Sequence, residues 1–175
     1  MGSSKYQLKV YGDDRDIEKV KEYCEKQNLP LIEEYEFKKE HTTPDLDIEI
    51  KSTTMVRDYQ LKALSKMFSN GRARSGVIVL PCGAGKTLTG IVAASYIKKS
   101  VLVLCNSGVS VEQWRKEFLR WSNIGNNKVP IRFTSKVKDK MFDPKEAGIV
   151  VSTYGMISYA GKRSEDKIDS FEKIR

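Results

Sequence analysis

The chain is 175 residues long, 39% hydrophobic and 31% charged, with a formal net charge of +8. That length suits one compact domain with a modest extension, and that composition excludes a disordered or fibrous chain. No apolar run approaches the roughly 18 residues of a membrane helix, so no spanning segment is expected. The charge is uneven: residues 1–56 carry 9 Lys/Arg against 13 Asp/Glu, a net of −4, and residues 57–175 carry 22 against 10, a net of +12. A basic body of this kind fits either a polyanion partner, commonly nucleic acid, or a solvated Lys-rich surface.

In chain order, Met1 to Ser4 read as a linker remnant outside the fold, and residues 5–56 as an N-terminal α+β extension. Asp13 to Asp16 supply N-cap and first-turn acids for a helix that carries Ile17, Val20 and Cys24 and stops at Leu29-Pro30. His41-Thr42-Thr43-Pro44 reads as a turn, and Leu46, Ile48 and Ile50 alternate with polar residues as in a half-buried strand. The pattern changes from Arg57, and residues 57–175 read as a second, larger domain. Leu61, Leu64 and Phe68 mark a helix ending at Asn70-Gly71. Val77 to Leu80 is an apolar run of the kind buried on both faces of a parallel sheet. A helix over Lys86 to Ile97 and a buried strand over Val101 to Cys105 follow. Ser110 and Gln113 suggest a capping box for a helix with Trp114, Phe118 and Trp121 on one face. Ile131–Thr134 and Ile149–Thr153 complete a strand–helix alternation that predicts an α/β fold with a mostly parallel sheet flanked by helices.

The strongest chemical signal lies between the run Val77–Leu80 and the next helix: Pro81-Cys82-Gly83-Ala84-Gly85-Lys86-Thr87. Gly83 and Gly85 let backbone N–H groups approach phosphate oxygens in a conformation that side chains would obstruct. The helix opening near Lys86 aims its unsatisfied N–H groups and positive dipole end at the same anion. Lys86 can reach terminal phosphates, and the Thr87 hydroxyl can ligate Mg²⁺. The strict G-x-x-x-x-G-K-[ST] pattern is not met, because Leu80 stands at the first glycine position. Position after a buried-type strand and before a helix nevertheless favours a nucleotide-phosphate loop over a plain structural turn.

Other chemistries lack their parts. Cys24, Cys82 and Cys105 are far apart and His41 is the only histidine, so neither a zinc site nor a Cys–His or Ser–His–Asp centre is expected. A small kinase remains a third reading, although about eighty residues precede the loop and no acceptor site is visible. A non-catalytic DNA- or partner-binding module is the main alternative to a motor. Phosphate-dominated DNA binding would lose about 0.9 in log K per phosphate for each unit of log salt.

Several stretches together resemble the XPB-type family of superfamily 2 DNA helicases, the translocase subunits of the transcription and repair factor TFIIH. They are Arg57-Asp58-Tyr59-Gln60, the run from Lys66 to Thr87, Asn106-Ser107 with Val109 to Trp114, Arg132 to Ser135, Ser152-Thr153-Tyr154 and Lys162 to Ser164. Leu29-Pro30-Leu31, Glu34 to Phe37 and Pro44-Asp45 extend the likeness upstream, so that it covers essentially residues 17–165. The resemblance implies a RecA-like ATP-binding domain, ATP or ADP with Mg²⁺ as cofactors, and DNA and other TFIIH subunits as partners. It further implies nuclear action in promoter opening and nucleotide excision repair.

By position, the resemblance assigns Gln60 to the adenine edge and Arg57 to the base or ribose, with Asp58 where the family usually has Pro. Pro81, Cys82, Gly83, Ala84, Gly85, Lys86 and Thr87 become the ATP-phosphate motif, with Lys86 and Thr87 acting in catalysis. Asn106, Ser107, Thr153 and Tyr154 match motifs that grip a DNA strand backbone; from the residues alone they read as a helix N-cap and a strand end. Such motors also need an Asp-Glu pair on a later strand and a second domain bearing an arginine finger. Glu165-Asp166 sits in a polar stretch without an apolar run and reads as surface, so the domain is expected to be incomplete at its C-terminus and the 175 residues alone not to turn ATP over.

Overall fold

Helix-period and strand-period segments alternate along the chain, and a computed structural model shows how they assemble; it describes residues 14–29, 34–68, 71–126, 128–143 and 145–158. The chain forms two compact units, residues 1–34 and 35–175. The elements, in order, are α1 (Asp14–Lys26), β1 (Glu34–Tyr35), α2 (Asp58–Met67), β2 (Ala73–Arg74), α3 (Lys86–Ile97), β3 (Val101–Cys105), α4 (Gly108–Trp121), β4 (Ile131–Phe133), β5 (Ile149–Thr153) and α5 (Tyr154–Ser158). The expected Asp13 cap, Pro30-Leu31, Asn70, the Lys162–Ser164 stretch and Glu165-Asp166 lie outside the described residues.

In the first unit, α1 is closed by its own backbone rather than by the proline. Asn28 takes a left-handed φ of 55°. The Asn28 N–H donates to Glu25 O at 3.0 Å and the Leu29 N–H to Cys24 O at 2.9 Å. That paired arrangement caps the last turn before Pro30 is reached.

The second unit is built on a parallel sheet of order β3-β5-β4, with β5 in the centre. The register pairs Val101 with Ile149 through to Cys105 with Thr153, and Ile131 with Val150 on the other side. The strands predicted over 101–105, 131–134 and 149–153 are therefore present, the second one residue shorter at its end, and the sheet is helix-flanked as expected of a RecA-like α/β domain. Ile149, Val150 and Val151 are buried to 2%, 2% and 0% exposure, consistent with a strand covered on both faces. Ile149 and Val151 share a core with Ile91 and Ala94 of α3 and Val111 and Phe118 of α4. Helix α3 can lie close to α4 because position 90 is glycine: a Cβ there would stand 2.7 Å from the Trp114 ring.

Two expectations differ. Leu46, Ile48 and Ile50 alternate in burial as the sequence indicates, but they form no sheet strand. Their backbone groups go to helix ends instead: Leu46 N–H to Lys98 O at 2.8 Å, Lys51 N–H to Trp121 O at 2.9 Å and Glu49 O from Asn123 N–H at 3.0 Å. Alternation reports which side chains are covered, and here helix ends and the core do the covering. The segment is anchored by Lys99, whose ammonium is buried among Asp45 (2.7 Å), Glu40 (3.3 Å) and the carbonyls of Glu40 and Thr43 (3.0 Å each). Burying that charge is tolerable only with such a shell. Leu46 and Ile48 thus belong to the same core as α3 and β5.

The second difference is the run Val77–Leu80. It joins no strand among the described residues. Val77 and Val79 are 89% and 86% exposed. A cavity of about 1260 Å³ lies alongside, bordered by residues 76–80, Lys62, Lys66, Gly90 and Trp114. The β-branched composition reports what the run could bury, and no neighbouring strand supplies the burial.

Candidate nucleotide-binding site

The loop after Leu80 turns on two glycines. Gly83 and Gly85 have φ of 76° and 77°, values that a residue with a side chain rarely adopts. At Gly85 a Cβ would also lie 2.5 Å from the Gln60 amide nitrogen, so conformation and space both require glycine there. Gly85 is the N-cap of α3, which begins at Lys86 with no side-chain cap. Its first-turn N–H groups and positive dipole end therefore face the loop, the environment in which an anion is held. Lys86 is exposed, and its ammonium donates to the carbonyls of Leu80 (3.2 Å) and Pro81 (3.1 Å). Thr87 is half-buried one residue further along. Pro81 and Cys82 are exposed, and Ala84 N–H closes a turn onto Pro81 O at 3.3 Å.

Helix α2 delivers Arg57, Tyr59 and Gln60 to this loop. Its far end is fixed by an aromatic cluster: Phe68 lies 4.6 Å from Tyr96 of α3 and 6.0 Å from Phe37, centroid to centroid. Such tilted and edge-on contacts add to the area they bury. At the near end Gln60 is only 2% exposed. Its Oε1 accepts from Arg57 N–H at 2.9 Å, and its Nε2 donates to Ala84 O (3.0 Å) and Gly85 O (3.2 Å). The Nε2 arm of that amide braces the loop, and its Oε1 arm holds the start of α2. Arg57 is the exposed N-cap of α2. Asp58, at the first helical position, sits where an acid suits the helix dipole. Sequence reasoning assigned no role to Tyr59, yet its hydroxyl donates to Ala84 O at 3.0 Å and accepts from Arg57 Nη1 at 3.4 Å. The signal was its place between Arg57 and Gln60; the partner, 25 residues away, is not visible in a linear reading.

The four residues matched to strand-gripping motifs come together at one end of the sheet. Cys105 and Thr153 are register partners on neighbouring parallel strands. Asn106-Ser107 follows the first, and Tyr154 follows the second. Open α/β sheets bind ligands at the carboxyl ends of their strands. Asn106 and Tyr154 are exposed. Ser107 is the N-cap of α4: its Oγ accepts from Ser110 N–H at 3.2 Å. The helix therefore begins one turn before the expected Ser110–Gln113 box, because the first serine is free to cap and the second falls at the third helical position. Burial pushes the Cys105 thiol above its ordinary value, so that residue is a core side chain rather than a nucleophile. Among the described residues no group of three His, Cys, Asp or Glu is placed to hold a metal. The Thr87 hydroxyl is a hard oxygen donor of the kind that fits a Mg²⁺ carried mainly by phosphates.

A parallel helix-flanked sheet with a two-glycine loop at the head of α3 defines a P-loop α/β domain. The chain belongs to the family described as "Type III restriction enzyme, res subunit", whose profile matches residues 53–174. It is also similar to subunits named General transcription and DNA repair factor IIH helicase/translocase subunit XPB. The Dictyostelium discoideum protein is 49% identical over 93% of this chain and 20% of its own length. The Schizosaccharomyces pombe protein is 55% identical over 86% and 18%, and the Drosophila melanogaster protein 51% over 85% and 18%. The chain thus spans about a fifth of the length of the curated relatives it matches.

Proposed function

We propose that this chain is the ATP-binding portion of an ATP-dependent DNA helicase or translocase of the XPB type. It acts in the nucleus with other TFIIH subunits, in promoter opening and nucleotide excision repair. The observation that carries the reading is the loop itself: two left-handed glycines feeding an uncapped helix start that bears Lys86 and Thr87. Lys86 would meet the terminal phosphates, Thr87 would hold the Mg²⁺ that accompanies them, and the N–H groups of residues 83–87 would line the anion. Bound Mg²⁺-nucleotide supplies the phosphoryl group whose transfer drives the motor. Identity in about half of all residues to subunits named helicase/translocase supports the assignment to DNA. So do the strand ends at Asn106, Ser107, Thr153 and Tyr154, on the basic half of the sequence.

No Asp-Glu pair stands at the carboxyl end of a strand among the described residues. The 175 residues on their own therefore bind Mg²⁺-nucleotide weakly and do not turn it over. The test is an equilibrium titration of fluorescent ADP with Mg²⁺ on this chain and on Lys86→Ala. Binding that weakens at least tenfold in the variant, about 1.4 kcal/mol, supports the reading. Equal binding by both chains, or none by either, overturns it for this chain.

A further inference from the structure

Two donors from one helical turn converge on a single carbonyl of the phosphate loop. Tyr59 Oη and Gln60 Nε2 each lie 3.0 Å from Ala84 O, so both lone pairs of that oxygen are engaged from the α2 side. Ala84 stands between the two left-handed glycines. A peptide unit is planar and trans, so its C=O and N–H point in opposite directions. Drawing Ala84 O toward α2 therefore turns the Gly85 N–H away from α2, onto the face of the loop that an anion would occupy. Gly85 O is engaged as well, by Gln60 Nε2 at 3.2 Å and by Thr89 N–H and Oγ1 at 3.0 and 3.1 Å. The peptides on both sides of Gly85 are thus held, the Ala84–Gly85 unit through Ala84 O and the Gly85–Lys86 unit through Gly85 O.

We infer that Tyr59 is a positioning residue for phosphate binding: its hydroxyl fixes the Ala84 carbonyl so that the Gly85 N–H is aimed at the anion before any ligand arrives. The inference rests on the nucleotide reading of the loop and adds to it a residue outside the loop. Tyr59 shares the Ala84 oxygen with Gln60, but the two differ in what a substitution removes. Gln60 is buried, and altering it disturbs the start of α2 through Arg57 N–H. Tyr59 is partly exposed, and Tyr59→Phe removes one oxygen and leaves the ring.

The test titrates Mg²⁺-ADP and Mg²⁺-pyrophosphate onto the chain, Tyr59→Phe and Lys86→Ala. The Gly85 amide resonance and its hydrogen exchange are followed in the ligand-free proteins. Tyr59→Phe is expected to weaken both ligands by the same factor, about three- to tenfold for one lost hydrogen bond. It is also expected to shift the Gly85 amide and quicken its exchange, with an unchanged melting temperature. A loss confined to ADP would make Tyr59 a base contact and overturn the inference. An undisturbed Gly85 amide with undiminished binding would overturn it too, while a large loss in Lys86→Ala would leave the nucleotide reading standing. Binding that survives Lys86→Ala unchanged would remove that reading and this inference together.

Discussion

Two runs of the chain are nearly interchangeable in composition and opposite in fate. Val77-Ile78-Val79-Leu80 and Ile149-Val150-Val151 are both short, apolar and rich in β-branched residues. Yet Val79 is 86% exposed and Val151 is 0% exposed. The second run sits between β3 and β4, shares a core with residues of α3 and α4, and pairs with a strand on either side. The first lines a cavity of about 1260 Å³ and joins no strand among the described residues. A run of branched side chains is a capacity to be buried; neighbours decide whether the capacity is used.

The largest contrast is expected from truncating each run in turn, beginning with the covered one. Ile149→Ala removes three carbons from a site with 2% exposure in the middle of the core. It should lower unfolding stability by about 2–5 kcal/mol, read as a fall in the urea midpoint at constant m-value. A loss below about 1 kcal/mol would mean that β5 is not the covered central strand described here.

How much of this was legible in the sequence depended on whether the deciding contact was local. Helix α3 and strands β3 and β5 begin and end where their apolar patterns place them, because the information lies within each segment. The start of α4 was misplaced by one turn: two serines three apart both satisfy a capping pattern, and only the structure shows which oxygen receives an N–H. Leu46, Ile48 and Ile50 show a strand's alternation without a strand, since the groups that satisfy their backbone belong to the ends of α3 and α4. The loop was legible in type and place, because glycine, lysine and threonine at fixed offsets have few other uses together. Its brace was not legible: the Gln60 amide and the Tyr59 hydroxyl meet carbonyls 24 to 25 residues away.

The alternating segment offers an intermediate case, a run held in place largely by charge. Thr42 and Thr43 hydrogen-bond the Glu40 carboxylate and hold it well below its ordinary value of 4.5, and the same carboxylate pairs with Lys99. A carboxylate whose pKa is depressed by folding contributes stability that is fully present above its unfolded value and is lost as pH falls through its folded value. The urea midpoint should therefore fall more steeply below about pH 5 in the parent chain than in Glu40→Gln, whose amide does not titrate. Parallel curves for the two chains would show that the turn at 40–45 is held by something other than this ion cluster. Asp139, held low by Arg132, titrates in both chains and cancels in the comparison.

The smallest effect, and the one that most sharpens the contrast, is expected at Val79. Val79→Ala removes apolar atoms that already face solvent, so unfolding stability should change by no more than about 0.5 kcal/mol. The measurement has to be made at several protein concentrations, because an uncovered apolar edge is a template for pairing between chains. If the midpoint of the parent chain is independent of concentration and Val79→Ala matches it, the run is uncovered in solution as it is here. If Val79→Ala costs a kilocalorie or more, and only in concentrated samples, a second copy is covering the run, and its exposure in the single chain describes the monomer alone. A cost that does not vary with concentration would place Val79 inside its own chain. The two runs would then differ in sequence position and not in burial, and the contrast drawn from them would fall.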